Sequence, residues 1–202
     1  LNASGFVIGT ADAPVVKLTA QGSGVEHGDL KIDKLSANVD VDWRGHNASH
    51  ADIAISRFAF GERELSQFNL LMEGTAADHS IRMNAFAGKT TAHLRGKGKF
   101  EDSAWRGAIE TLVIDDDANL NLQLDAPAPV VVSADSFRID PLCLHGKVAK
   151  LCGEGAWSAS GWSARADALN LPISTLTAGL TPKVEYQGTL NATASASSTG
   201  RS

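Results

Sequence analysis

The stretch LSANVDVDW, residues Leu35–Trp43, alternates strictly between apolar and polar side chains. Its apolar members are Leu35, Ala37, Val39, Val41 and Trp43, and its polar members are Ser36, Asn38, Asp40 and Asp42. Successive side chains of an extended strand point to opposite faces of the sheet. The stretch therefore predicts a β-strand with one dry face and one wet face.

The same alternation recurs along the chain. It is clear in ANLNLQLDA at residues 118–126 and in KVEYQGTLNATASAS at residues 183–197, and shorter versions bring the count to at least ten strands. Gly, Asp and Asn turn signals separate them. Buried parallel strands read as continuous apolar runs, so clean alternation predicts an antiparallel sheet with a single buried face.

These segments predict which side chains line the buried face. The predicted lining residues are Leu35, Val39, Val41, Trp43, Ile53, Ile55, Leu70, Ile81, Met83, Leu120, Leu122, Leu124, Val184, Tyr186 and Leu190. Two architectures satisfy the pattern: a closed or sandwiched sheet with a packed core, and a long curved sheet whose apolar face lines a groove. Aromatic residues make up only 6% of the chain. Inner faces of Ala, Val and Leu suit either architecture.

The 202-residue length suits one domain. We predict a single β-sheet segment over residues 1–191 and a flexible tail of small residues at 192–202. At most one short helix is expected, in NLPISTLTAGL at residues 170–180, which could equally be a loop. The chain starts without Met or a signal peptide, so we expect it to be a piece of a larger protein.

The composition argues against several classes of function. A formal charge of −5, without a basic stripe, argues against nucleic-acid binding. No apolar run approaches the roughly 20 residues of a membrane-spanning helix. His46 and His50, and the run Asp115–Asp117, are interpreted as turns rather than metal sites. Without a catalytic or phosphate-binding motif, we predict no enzyme activity, no cofactor and no metal.

The two cysteines of the chain lie in PLCLHGKVAKLCGEGAW, residues 141–157. If residues 146–149 form a hairpin turn, then Cys143 faces Cys152 while Leu144 and Leu151 share the opposite face. Opposed Cβ atoms lie about 4.5–5.5 Å apart, which favours a disulfide. A reduced pair and a metal site remain open. A disulfide implies an oxidising compartment such as a periplasm or extracellular space.

Several longer stretches carry a family resemblance. They are DPLCLHGKVAKLCGEGAW (140–157), WSARADALNLPISTLTAGL (162–180) leading to YQGTLNATASA (186–196), HSIRMNAFAG (79–88) and AWRGAIETLVID (104–115). The chain resembles the periplasmic region of the TamB family, the inner-membrane subunits of the translocation and assembly module of diderm bacteria, within the AsmA-like group. The cysteine–tryptophan stretch and LNLPISTL are its most specific parts.

The resemblance implies a fold and a function. The implied fold is all-β: a long curved, antiparallel-rich sheet that forms an open groove with an apolar interior, often called a β-taco. The implied function is phospholipid transport between the inner and outer membranes, together with assistance in outer-membrane protein and autotransporter assembly. The implied guests are phospholipid acyl chains or apolar client segments.

The resemblance also implies a partner and a location. The implied partner is the outer-membrane TamA, of the BamA family, engaged through the full-length protein. The implied location is the periplasm, with an N-terminal inner-membrane helix that this fragment lacks. The alternative is a purely structural β-solenoid stalk or adhesin-like passenger with a closed dry core.

Overall fold

The structure is a computed structural model that describes residues 2–10, 13–43, 47–61, 63–116, 121–173 and 187–199. These residues form fourteen β-strands. In chain order they are β1 (Asn2–Thr10), β2 (Ala13–His27), β3 (Leu30–Asp42), β4 (Ser49–Phe60), β5 (Arg63–Gly74), β6 (His79–Ala87), β7 (Thr90–Glu101), β8 (Ala104–Asp116), β9 (Asn121–Leu124), β10 (Ala128–Ser133), β11 (Ser136–His145), β12 (Lys150–Ser158), β13 (Gly161–Pro172) and β14 (Thr189–Thr199).

All fourteen strands belong to one antiparallel sheet. Each strand pairs with the next along the chain, from β1 to β8 and from β10 to β14. The short strands β9 and β10 together fill the position between β8 and β11, because each pairs with both of them. The all-β, antiparallel prediction is confirmed, and the sheet is a simple meander.

The opening stretch fixes the register of the first half of the sheet. Leu35 pairs with Ile55, Ala37 with Ile53 and Val39 with Ala51. Directly paired residues of antiparallel strands share a face. The apolar residues of β3 and β4 therefore form one continuous surface, as the alternation predicts.

A line of irregular positions crosses β2 to β5 at Gly24, Asp33, Arg57 and Ser66. These four residues are not paired with one another across the strands, although the residues before and after them pair with an unchanged offset. Gly24 and Arg57 have φ values of 59° and 47°, in the left-handed region. Beyond this line, the partly buried positions of each strand are displaced by one residue from the alternation before it. The first apolar side chains on the buried side beyond the line are Val25, Ile32, Phe58 and Leu65.

The sheet curls around its apolar face. The rings of Trp43, at the end of β3, and Phe100, on β7, stack with centroids 4.7 Å apart although three strands lie between them. Two side chains can meet in this way only if the sheet is concave on their side. Val41, Ala51 and Met72 form a buried cluster beneath, with Val16, Val39, Trp43 and Ile81 packed against it.

Glycines allow a second contact across the curled sheet. Trp105 on β8 lies over Gly98 and Gly107, where an added Cβ would come within 2.5 Å of the indole. From there its Nε1 donates a hydrogen bond to Nε2 of His79 on β6, at 2.6 Å. The indole thus crosses β7 at a position that has no side chain, and it fastens two non-adjacent strands.

Two predictions about the C-terminal part differ in outcome. Residues 192–199, predicted as part of a flexible tail, instead continue β14, which pairs with β13 as far as Thr199. The Ala and Ser or Thr residues alternate there, and their small side chains suit a sheet with one apolar face. The predicted helix or loop at 170–180 begins within β13, and residues 174–180 lie outside the described residues.

No helix in the described part of the chain is long and apolar enough to cross a bilayer.

Candidate apolar groove

The candidate site is the inner face, defined as the face of the sheet that carries Leu35, Val39 and Val41. Register pairing places twelve of the predicted lining residues on this face: Leu35, Val39, Val41, Trp43, Ile53, Ile55, Leu70, Ile81, Met83, Leu122, Leu124 and Leu190. Leu120, Val184 and Tyr186 lie outside the described residues. One row of cross-strand pairs runs from Leu35 on β3 to Leu122 on β9. A second row runs from Leu124, two residues along the same strand, to Ala192 on β14, so the face is continuous across the sheet.

The inner face is only partly covered. Val41 and Leu122 are buried, at 7% and 2% exposure, whereas Leu190 is 37% exposed and the other nine described lining residues are half-buried. The chain of 21.2 kDa exposes 13047 Å², against roughly 9,100 Å² for a globular monomer of that mass. The chain therefore buries less of its surface than a globular monomer of the same mass, and most of the lining residues on the inner face keep part of their surface exposed.

The opposite side of the sheet, the outer face, carries paired charges. Lys17 and Asp40 lie 2.9 Å apart on neighbouring strands. The other outer-face ion pairs include Arg82–Glu73, Lys99–Glu101, Arg138–Asp140 and Arg165–Asp167. Lys99 holds the pKa of Glu101 below its usual value through a hydrogen bond and its positive charge. The two faces thus differ sharply in polarity.

The cysteine hairpin has the predicted register. Cys143 pairs with Cys152 and Leu144 with Leu151, and the N–H of Gly146 donates to the carbonyl of Ala149 across the turn. The sulfur atoms are joined in a disulfide of 2.10 Å. The disulfide lies on the outer face, because Cys152 pairs with Asp167, whereas both leucines lie on the inner face.

Charged side chains brace this hairpin from the outer face. The carboxylate of Asp125, which lies between β9 and β10, contacts Nζ of Lys150 at 3.0 Å and Nδ1 of His145 at 2.5 Å. The hydrogen bond from Lys150, followed by that from His145, lowers the pKa of Asp125 despite partial desolvation. The break between β9 and β10 is thereby tied to β11 and β12.

Apart from Leu190, the predicted lining residues do not include the part of the inner face formed by β11 to β14. Here the lining of a depression is mostly aliphatic. Its residues are Leu142, Leu144, Leu151, Gly153, Ala166, Ala168, Ala192 and Ala194, together with Cys152 and Asp167 of the same strands. The stretch WSASGW, residues 157–162, could have indicated this part of the face. A two-residue turn at Ala159 and Ser160 pairs Trp157 with Trp162 and thereby sets the register of β13. Alanines at every second position from Ala164 to Ala168 then fall on the inner face.

The described residues contain no group of three or more His, Cys, Asp and Glu side chains placed to hold a metal ion. His50 lies in β4, Asp115 and Asp116 end β8, and His46 and Asp117 lie outside the described residues. The chemistry that this site offers is apolar contact along a continuous face, bordered by polar side chains.

One meandering antiparallel sheet, curled around a partly uncovered apolar face, defines a β-groove protein. The chain belongs to the TamB family: the family model described as "TamB, N-terminal domain" matches residues 2–201. Neither a curated protein nor a solved structure matches the chain significantly.

Proposed function

We propose that this domain is a stretch of the wall of a periplasmic groove that shelters phospholipid acyl chains on their way between the inner and outer membranes. The supporting observation is the continuous inner face, which stays only partly covered across the sheet. Each CH₂ group removed from water contributes about 0.8 kcal/mol. Acyl chains would cover the inner face while headgroups remain in water along the open side.

The uniform lining suits transport better than storage. The inner face offers Leu, Val, Ile and Ala at successive register positions and few polar atoms, so a chain that moves from one position to the next exchanges similar contacts. Binding of this kind is weak at each position and is repeated along the face. Apolar segments of outer-membrane client proteins would fit the same surface.

The remaining parts of the proposal concern the full-length protein. In it, an N-terminal helix would anchor the chain in the inner membrane, and an outer-membrane TamA-like partner would receive the guest or join in autotransporter assembly. Family membership supports this part. The proposed role is non-enzymatic, since apolar contact alone performs it.

A purely structural stalk is the second candidate, and one observation favours it. The cluster of Val41, Ala51 and Met72, covered by the stack of Trp43 on Phe100, is a dry core at one end of the β3–β7 region. If the whole face closed in this way, no guest would enter. The two candidates differ in whether the inner face of β11 to β14 is accessible.

Site-specific photo-crosslinking in cells tests the proposal. A photoreactive residue is placed in the full-length protein at Ala166, on the inner face, or at Ser163, exposed on the outer face of the same strand, and adducts are identified by mass spectrometry. We expect phospholipid adducts at position 166 and few at position 163. Only protein adducts at 166, or equal lipid labelling at both positions, would refute the proposal. Leu122 is a poor probe position because it is 2% exposed.

A further inference from the structure

One row of mostly aromatic side chains crosses an end of the inner face. Its members, each paired with the next across neighbouring strands, are Phe100, Trp105, Val132, Phe137, Trp157 and Trp162. The chain has four Trp residues; three lie in this aromatic row, and the fourth, Trp43, stacks on Phe100. Aromatic side chains are thus concentrated at one end of a face that is otherwise largely aliphatic.

The two halves of the aromatic row differ in how they are packed. In the first half, Phe100 stacks on Trp43, and Trp105 donates its N–H to His79, which is 3% exposed. In the second half, Phe137, Trp157 and Trp162 are 39%, 49% and 44% exposed. The contacts of the first half therefore cover that part of the inner face, whereas the second half leaves its part accessible to solvent. We call the accessible part, formed by Phe137, Trp157 and Trp162, the open mouth.

The open mouth carries free hydrogen-bond donors. Among the described residues, the indole N–H groups of Trp157 and Trp162 have no protein acceptor. An indole combines a large apolar ring with one N–H donor. This combination places Trp at the boundary between hydrocarbon and polar headgroups in lipid bilayers.

Polarity changes in a fixed order along these hairpins. The aliphatic depression around Leu142, Leu151 and Ala166 lies on one side of the aromatic row. On the other side, the turns are polar: Ser133 Oγ donates to Asp135, and Ser158 and Ser160 hydrogen-bond through their hydroxyls. A phospholipid has the same order of aliphatic chain, ester carbonyl acceptors and polar headgroup.

We propose that Phe137, Trp157 and Trp162 hold the ester and headgroup region of a phospholipid whose acyl chains lie on the aliphatic depression. This inference rests on the proposed function and gives the guest a defined orientation. The two indole N–H groups would donate to ester or phosphate oxygens, and Phe137 would cover the adjoining glycerol and first chain carbons. The guest would therefore point its headgroup towards the end of the sheet that carries the polar turns.

Mapping crosslinks on the lipid tests the orientation. A benzophenone amino acid replaces Trp162 or Ala166 in the full-length protein, and tandem mass spectrometry locates the attachment on each phospholipid adduct. We expect attachment to the glycerol or headgroup part at position 162 and to the acyl chain at position 166. Two outcomes overturn the orientation and leave the proposed function intact. In the first, phospholipid is attached at position 166 and none at position 162. In the second, phospholipid is attached at both positions, but position 162 is joined to the end of an acyl chain. Protein adducts alone at 162 also overturn it. Lipid at neither position overturns both proposals.

A conservative variant isolates the donors. The double substitution Trp157→Phe with Trp162→Phe keeps an aromatic ring at both positions and removes both N–H groups. We expect roughly tenfold less phospholipid to co-purify with the full-length protein, as two ordinary hydrogen bonds imply. Ser163→Ala is the matched control: it removes one hydroxyl donor from the exposed outer face of the strand that carries Trp162, and it should retain lipid. Unchanged lipid in the double variant overturns the donor role.

Discussion

At the scale of single residues, His79 shows how a polar side chain can belong to an apolar face. Its Nδ1 lies 3.0 Å from the carbonyl oxygen of Thr75, and its Nε2 accepts the bond from Trp105. A carbonyl only accepts and an indole only donates, so the neutral ring with its proton on Nδ1 satisfies both. The histidine secures the β5–β6 turn and the Trp105 crossing together.

We expect His79→Leu to destabilise the chain by about 2–4 kcal/mol, because it leaves a part-buried indole N–H without a partner and removes one of the two hydrogen bonds to the Thr75 carbonyl. Urea unfolding followed by circular dichroism measures this. His93→Leu is the control, because His93 is exposed and its hydrogen bond to Asn84 lies at the surface. Equal losses in the two variants would contradict the role assigned to His79.

Asp125 makes stability depend on pH in a defined direction. Lys150 and His145 lower its pKa in the folded chain. A lowered folded-state pKa stabilises the fold above the unfolded-state pKa, and this contribution is lost as pH falls through the folded value. We therefore expect part of the acid-induced drop in melting temperature to disappear in Asp125→Asn.

The measurement is a series of thermal melts from neutral pH into the acid range. Asp29→Asn, in the exposed turn between β2 and β3, is the control and should follow the wild-type curve. If the Asp125→Asn curve were parallel to wild type at every pH, the contacts with Lys150 and His145 would not stabilise the fold.

At the scale of elements, the β11–β12 hairpin combines three stabilising features: a tight turn, leucines on the inner face and a disulfide on the outer face. Closing so short a loop removes little unfolded-state entropy, and we expect the bond to contribute about 2–3 kcal/mol. The Cys143→Ser, Cys152→Ser double variant should lose that amount in chemical denaturation.

A reductant provides the matched arm of this experiment. Dithiothreitol should lower wild-type stability to the level of the double variant and should leave the variant unchanged. Wild-type stability that does not respond to reductant, with thiols shown to be free, would mean that the disulfide is not needed to hold the hairpin.

At the scale of the whole molecule, the structure predicts unequal tolerance along one face. Ala51 and Ala166 lie on the inner face, but Ala51 is buried beneath Met72 and Val41, and Ala166 is exposed. We expect Ala51→Asp to cost about 3–5 kcal/mol, since its charge has no partner there. Ala166→Asp should stay within about 0.5 kcal/mol of wild type, as at an ordinary surface position.

Thermal and urea unfolding of the two alanine variants decide the point. The substitution is the same on the same face, so only the local covering differs. Comparable, severe losses at both positions would mean that the face is closed in solution and would favour the structural stalk.

Much of the sheet was predictable because alternation is a local property. The strands around Val39 and Leu122, the turn after His145 and the pairing of the cysteines all follow from residues close together in sequence. The one-residue shift in the alternation of burial at Arg57 was not predicted, nor was the crossing of Trp105 over Gly98. They depend on neighbouring strands that the local pattern does not specify.

The sequence by itself determined the antiparallel sheet, its apolar face and the register of the cysteine hairpin, because period-two alternation and short turns act between near neighbours. Only the tertiary structure decided where that face is closed and where it is open. The stack of Trp43 on Phe100 depends on the curvature accumulated over several strands, and so does the difference between buried Ala51 and exposed Ala166. Curvature is a property of the whole sheet, and no short stretch encodes it.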